Sequence, residues 1–140
     1  MTEGQSPSGS RQSDAVASLG TIKSYRDLRV WKLAIELAVN CYSATKMFPA
    51  TEIYGVTSQL RRAASSVAAN IAEGYGRDHK GSYVHFLRIA QGSLKEVETH
   101  VIISARVGYL APETEAMILE SAEGVGKMLR SLIRTLEKST

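Results

Sequence analysis

The residues best equipped for chemistry in this chain are its guanidinium and ammonium groups and the aromatic rings between them. Arg61, Arg62, Arg77, His79, Lys80 and Arg88 follow one another through the middle of the sequence, with Tyr75 and Tyr83 interleaved. Guanidinium groups bind phosphates through paired hydrogen bonds, and aromatic rings stack on exposed bases, so the set suits RNA or single-stranded DNA. Arg61, Arg62, Arg77, Lys80 and Arg88 are the candidate nucleic-acid-binding residues, gathered near the turn between the second and third helices. The competing reading is a protein-interaction scaffold whose bases are solvated or salt-bridged. The formal net charge is only +3, but the bases are followed by Glu96, Glu98, Glu113, Glu115, Glu120 and Glu123. That order predicts one basic and one acidic region on the same domain.

A second pattern overlaps the first. Gln59, Arg62, Ser66, Asn70, Glu73 and Arg77 recur at steps of three and four, which places them in one polar stripe along a helix. Within it Asn70 and Glu73 flank the apolar Ile71. Glu73 can pair with Arg77 one turn on, or with an arginine from another helix or subunit. A shielded carboxylate needs such a partner or it takes up a proton. The expected role of Asn70 and Glu73 is a structural polar network that fixes helix register.

Other chemistries find little support. A di-iron bundle needs Glu-x-x-His pairs, whereas Glu96 precedes Thr99 and Glu98 precedes Val101; His79, His85 and His100 are scattered. Cys41, the one cysteine, lies on an apolar face with no His or acid partner at helical spacing, which predicts an inert thiol and excludes an intrachain disulfide framework. Gly74-Tyr75-Gly76 follows a helix and lacks the Lys-Ser/Thr of a phosphate-binding loop. No catalytic residues, metal site or cofactor are expected. No apolar run reaches the ~18 residues that a bilayer span requires, and no secretory leader is visible, so the expected compartment is the cytoplasm.

The elements that must carry these residues are helices. Residues 1–23 are rich in Ser, Gly, Gln and Ala without apolar periodicity and are expected to be a disordered tail; residues 24–140 form the domain. Val30, Ala34, Leu37, Cys41, Ala44 and Phe48 make one seam, with Trp31, Ile35, Ala38 and Tyr42 as a second stripe beside it. Asp27 is the expected cap and Pro49 the stop. The second helix carries Leu60, Ala64, Val67 and Ile71, and Gly74 and Gly76 suit a left-handed C-terminal cap. Tyr83, Leu87, Ala90, Leu94, Val97, Val101 and Ser104 line the third, capped by Asp78 or Ser82 and closed by Gly108. Pro112 opens the fourth, with Ile118, Ala122, Val125, Leu129, Leu132 and Leu136 inward. Lys127, Arg130, Arg134 and Lys138 load its C-terminal half, where bases complement the helix dipole. Helices at 27–47, 52–75, 79–108 and 112–138 with short connections predict an all-α, antiparallel up-down four-helix bundle. The surplus stripe on the first helix predicts self-association.

Several ordered blocks resemble a known family. They are Asp27-Leu28-Arg29-Val30-Trp31, Phe48-Pro49, Tyr54-Gly55, Gln59-Leu60-Arg61-Arg62-Ala63, Asn70-Ile71-Ala72-Glu73-Gly74 with Gly76-Arg77, Gly92-Ser93-Leu94 and Gly108-Tyr109-Leu110. The chain resembles the S23 proteins encoded within intervening sequences of bacterial 23S ribosomal RNA genes, over about residues 24–138. It departs in having Ala68 where family members often carry proline. The resemblance implies a homo-oligomer with five subunits favoured, similar to accessory proteins of diversity-generating retroelements, and it brings no enzymatic activity.

Overall fold

A computed structural model of the chain describes residues 22–139. The tail expected over 1–23 falls outside them except for Ile22 and Lys23. Four helices make up the described chain: α1 (Arg29–Thr45), α2 (Val56–Tyr75), α3 (Lys80–Arg106) and α4 (Pro112–Lys138), with no strand among the described residues. Each packs on its sequence neighbours, and α4 returns to α1, closing an up-down bundle.

The interior is the set of seams legible in the sequence. Leu37 and Cys41, Leu60, Ala64, Val67 and Ile71, Leu87 and Val97, and Ile118, Val125 and Leu129 are wholly buried, and Leu94 is nearly so. In α1 the seam departs from expectation at one turn: Thr45 is buried in place of Ala44, which is half-buried. Thr45 can enter the core because its hydroxyl donates to the Cys41 carbonyl one turn back, at 2.9 Å. The second stripe divides: Ile35 and Tyr42 are exposed, whereas Trp31 and Ala38 are half-buried against the core, Trp31 also packing edge-on against Tyr25, 5.2 Å between centroids.

Helix ends differ from expectation where local capping decided them. Asp27 does not cap α1. It closes a capping box with Ser24 around the short turn Tyr25–Asp27, accepting from the Ser24 and Lys23 amides, and the buried Leu28 leads into α1 without a side-chain cap. Glu52 forms a turn of its own with Ala50 and reaches forward to the Val56 amide at 3.3 Å, so α2 starts four residues later than expected. Neither Asp78 nor Ser82 caps α3: the His79 ring accepts from the Ser82 amide.

The glycines also take different work. Gly76 is right-handed at φ −80°, so α2 has no left-handed cap. Gly108, at φ 91°, is the one left-handed position among the described residues, and it completes a helix terminus in which the Tyr109 amide returns to the Ser104 carbonyl and the Gly108 amide to Ala105. Gly74 lies inside α2 and is buried. A Cβ there would stand 2.9 Å from the Phe86 Cβ and 3.1 Å from the Tyr83 carbonyl oxygen, so glycine is what lets α2 and α3 meet.

This packing has two measurable consequences. Gly74→Ala forces two backbones apart and is expected to cost about 1–3 kcal/mol. Gly92→Ala, where a Cβ meets nothing within 4 Å, is expected to stabilise by roughly 0.5–1 kcal/mol through helix propensity. Urea unfolding measures both, and equal effects would contradict the close approach. The second consequence concerns Cys41, whose thiol burial pushes up to about 12 from an ordinary 9.0. A group whose folded value is raised stabilises fully below the unfolded value and loses that contribution as pH rises towards the folded one. Stability should therefore fall above about pH 9, and Cys41→Ala should flatten that fall. Tyr83, raised by burial first and by Tyr75 second, adds a loss at higher pH that the variant keeps.

Candidate nucleic-acid interface

The structure divides the five candidate bases. Arg61 and Arg62 lie in the first turns of α2, and Arg77 follows its end. At 1.5 Å per residue the sixteen-residue interval from Arg61 to Arg77 spans about 24 Å. The five therefore do not gather at the turn between α2 and α3, as the sequence order suggests. Arg77, Lys80 and Arg88 do come to one end of the bundle; Arg61 and Arg62 belong to the other half.

Arg61 is built into the scaffold. Its Nε donates to the Thr45 hydroxyl at 2.8 Å, and its guanidinium lies over the Tyr42 ring, 4.8 Å from the centroid. It clasps α2 to α1 where Thr45 has already brought a polar atom into the core. Arg62 is exposed and lines a surface groove with Tyr42, Gln59, Ser66, Glu96 and His100.

Asn70 and Glu73 also part company. Asn70 donates to the Ser66 carbonyl at 2.9 Å and to the Ser66 hydroxyl at 3.0 Å, and that hydroxyl bonds Ser93 across the α2–α3 interface at 2.8 Å. The register-fixing network is thus Asn70–Ser66–Ser93. Glu73 is outside it, exposed and paired with Arg77. The helical pitch turns Glu73 away from the α2–α3 contact that Asn70 touches.

At the basic end, the Arg77 guanidinium also lies over the Phe86 ring, 4.7 Å from the centroid. Lys80 reaches the Ser139 carbonyl, and Arg88 pairs with Glu137 on α4 at 3.1 Å. Both members of each ion pair are about half exposed. Exposed pairs of this kind are worth about 0–1 kcal/mol, so phosphate can displace the carboxylate at little cost. The interleaved tyrosines face inward: Tyr83 is buried and Tyr75 packs edge-on against it, 6.1 Å between centroids. They are not available as a stacking platform.

Antiparallel topology sorts the charge further. The end where α1 and α3 begin and α2 and α4 finish carries Lys23, Arg26, Arg29, Lys32, Arg77, Lys80, Arg88, Lys127, Arg130, Arg134 and Lys138. Against them stand Asp27, Glu36, Glu73, Asp78 and Glu137. The other end holds Glu52, Glu96, Glu98, Glu113, Glu115, Glu120 and Glu123 against Lys46, Arg61, Arg62, Lys95 and Arg106. In the sequence Arg130, Arg134 and Lys138 read only as complements to the helix dipole. The signal that would have joined them to the site is the up-down order itself, which returns the end of α4 to the start of α3. No three His, Cys, Asp or Glu side chains among the described residues converge to hold a metal, and no described helix is long and apolar enough to cross a membrane.

Comparison with known proteins agrees with this architecture. The family model for 23S rRNA-intervening sequence protein matches residues 26–131. A crystal structure of a protein of unknown function from the S23 ribosomal protein family of Bacteroides thetaiotaomicron superposes with a TM-score of 0.70 and 23% sequence identity. The match covers 75% of this chain and 95% of that one. At this identity the likeness carries the fold. No curated protein matches the chain.

The two neighbouring arginines should behave differently. Arg61→Ala removes a charged hydrogen bond to a part-buried hydroxyl and a ring contact, and is expected to lower stability by about 1.5–3 kcal/mol. Arg62→Ala should stay within about 0.5 kcal/mol of the parent. Urea denaturation of the two variants checks the pair, and similar losses would show that Arg61 is not a clasp.

Proposed function

The chain belongs to the 23S rRNA-intervening sequence protein family, and from that premise we propose that it is a non-enzymatic, cytoplasmic, homo-oligomeric scaffold that binds RNA or single-stranded DNA. Phosphates are held at its basic end, with Arg77, Lys80 and Arg88 among the contacts. The observation that carries this reading is the sorting of charge along the bundle axis. Bases from α1, α3, α4 and the turn after α2 meet at one end, and a surface with an excess of positive charge concentrates a polyanion and speeds its encounter. No base-reading module is recognisable and the tyrosines are turned inward, so the expected binding is backbone-directed and tolerant of sequence.

Oligomerisation draws support from a separate surface. Ile35, Val39 and Tyr42 stand exposed at helical spacing along α1. Such a stripe is apolar area that contact with another copy would cover. Five copies is the count favoured by family resemblance. A second reading, a protein-interaction scaffold without nucleic acid, is favoured by one observation: Arg77 and Arg88 each already face a carboxylate of the same chain.

Fluorescence anisotropy with a short labelled oligo-uridine RNA at low salt separates these readings. Binding should weaken steeply with salt. Arg77→Gln with Lys80→Gln should weaken it and flatten the salt slope by roughly 1.4, at about 0.7 for each phosphate no longer neutralised. Far-ultraviolet circular dichroism should stay unchanged. Absence of binding by the parent protein selects the scaffold reading. Light scattering should give an assembly; a monomer at tens of micromolar would contradict the oligomer.

A further inference from the structure

We infer that the exposed face of α4 from Arg130 through Arg134 to Lys138 is a track for the phosphates of one nucleic-acid strand, which it shares with Arg88 of α3. The inference rests on the reading that the basic end binds RNA or single-stranded DNA, and it adds where the strand runs. The three side chains recur every fourth residue and are all exposed. They form one row along the helix with a rise of about 6 Å per step, close to the separation of successive phosphates in a strand.

Availability sets these residues apart. Arg77, Lys80 and Arg88 have partners within the chain. Arg130, Arg134 and Lys138 take part in none of the side-chain ion pairs or hydrogen bonds among the described residues. Their guanidinium and ammonium donors are uncommitted, so phosphate need not compete for them. Arg88 joins the row through Glu137, which it meets at 3.1 Å and which is the single acid on α4 beyond Glu123. That pair is about half exposed on both sides, so phosphate displaces Glu137 at little cost.

The same helix limits the footprint. Glu113, Glu115, Glu120 and Glu123 occupy its first half and repel phosphate, so the strand is confined to the C-terminal half. A lipid surface fits this face poorly, because membrane-binding helices set apolar side chains beside their bases. The last exposed large apolar residue on α4 is Met117, in the acidic half. The row turns by about 40° per step and follows one side of a convex helix, within reach of one strand of phosphates, which favours a single strand over a duplex.

The test compares two variants with equal charge loss in the full chain: Arg130→Gln with Arg134→Gln, and Lys46→Gln with Arg106→Gln at the opposite end. The probe is the same labelled oligo-uridine, titrated across salt concentrations. The α4 variant should lose about tenfold or more in affinity at low salt, and its salt slope should flatten by roughly 1.4. The opposite-end variant should stay within about twofold of the parent. Equal losses in both would mean general charge attraction and overturn the track. Binding by the α4 variant as tight as by the parent would overturn the track while leaving the nucleic-acid reading standing. No binding by the parent removes both. Equal affinity for a duplex of the same length, or binding only to vesicles of anionic lipid, would also overturn it.

Discussion

The fold depends on how closely α2 can approach α3. A side chain at Gly74 would press on Phe86 and on the Tyr83 backbone. Ala63, Ala64 and Ala68 thin the buried α2 surface between Leu60, Val67 and Ile71. Once the two helices are this close, Ser66 and Ser93 can share a hydrogen bond and Asn70 can complete it. That polar contact has one good register, because a slip by a turn leaves hydroxyls in the interface without partners. The register in turn sets the tight turn between α2 and α3, and with it the positions of Arg77, Lys80 and Arg88.

Charge is arranged by the same geometry at small energetic cost. Each ion pair among the described residues is exposed on at least one side, so none holds the fold together. Stability comes from the buried seams, which leaves surface charge free to be distributed for other ends. Arg61 is the base with a structural task, through a part-buried hydrogen bond to Thr45. It completes a short relay in which Thr45 bonds back to Cys41 and takes a donor from α2. A polar residue in the first helix seam is tolerated because both its donor and its acceptor capacity are used.

The apolar stripe and the basic face occupy different parts of the surface. Ile35, Val39 and Tyr42 run along α1, whereas Arg130, Arg134 and Lys138 run along the C-terminal half of α4. A protein that both self-associates and holds a polyanion needs this separation. Burying bases in a subunit contact would desolvate them, and spreading apolar groups among phosphate contacts would weaken both. The groove lined by Arg62, Glu96 and His100 meets the apolar stripe at Tyr42 and lies away from the basic face.

What the sequence determined was everything set by periodicity. Apolar residues at steps of three and four dictated which face of each helix turns inward, because the α-helix has one pitch whatever its surroundings. The third and fourth seams hold throughout, and the Gly108 stop and the Pro112 start stand where backbone preference puts them. Boundaries that depend on side-chain caps were less legible, since Asp27, Glu52 and His79 each chose among several nearby amides by small energy differences. The bases of the candidate site were legible in the sequence, but which of them share a surface was not. Arg61 and Arg77, which the sequence reading grouped together, are set apart by the rise of a single helix. Arg88 and Glu137, forty-nine positions apart, are brought into contact because α4 runs back along α3. Proximity along the chain decides secondary structure, but the antiparallel return of packed helices decides which charges share a surface.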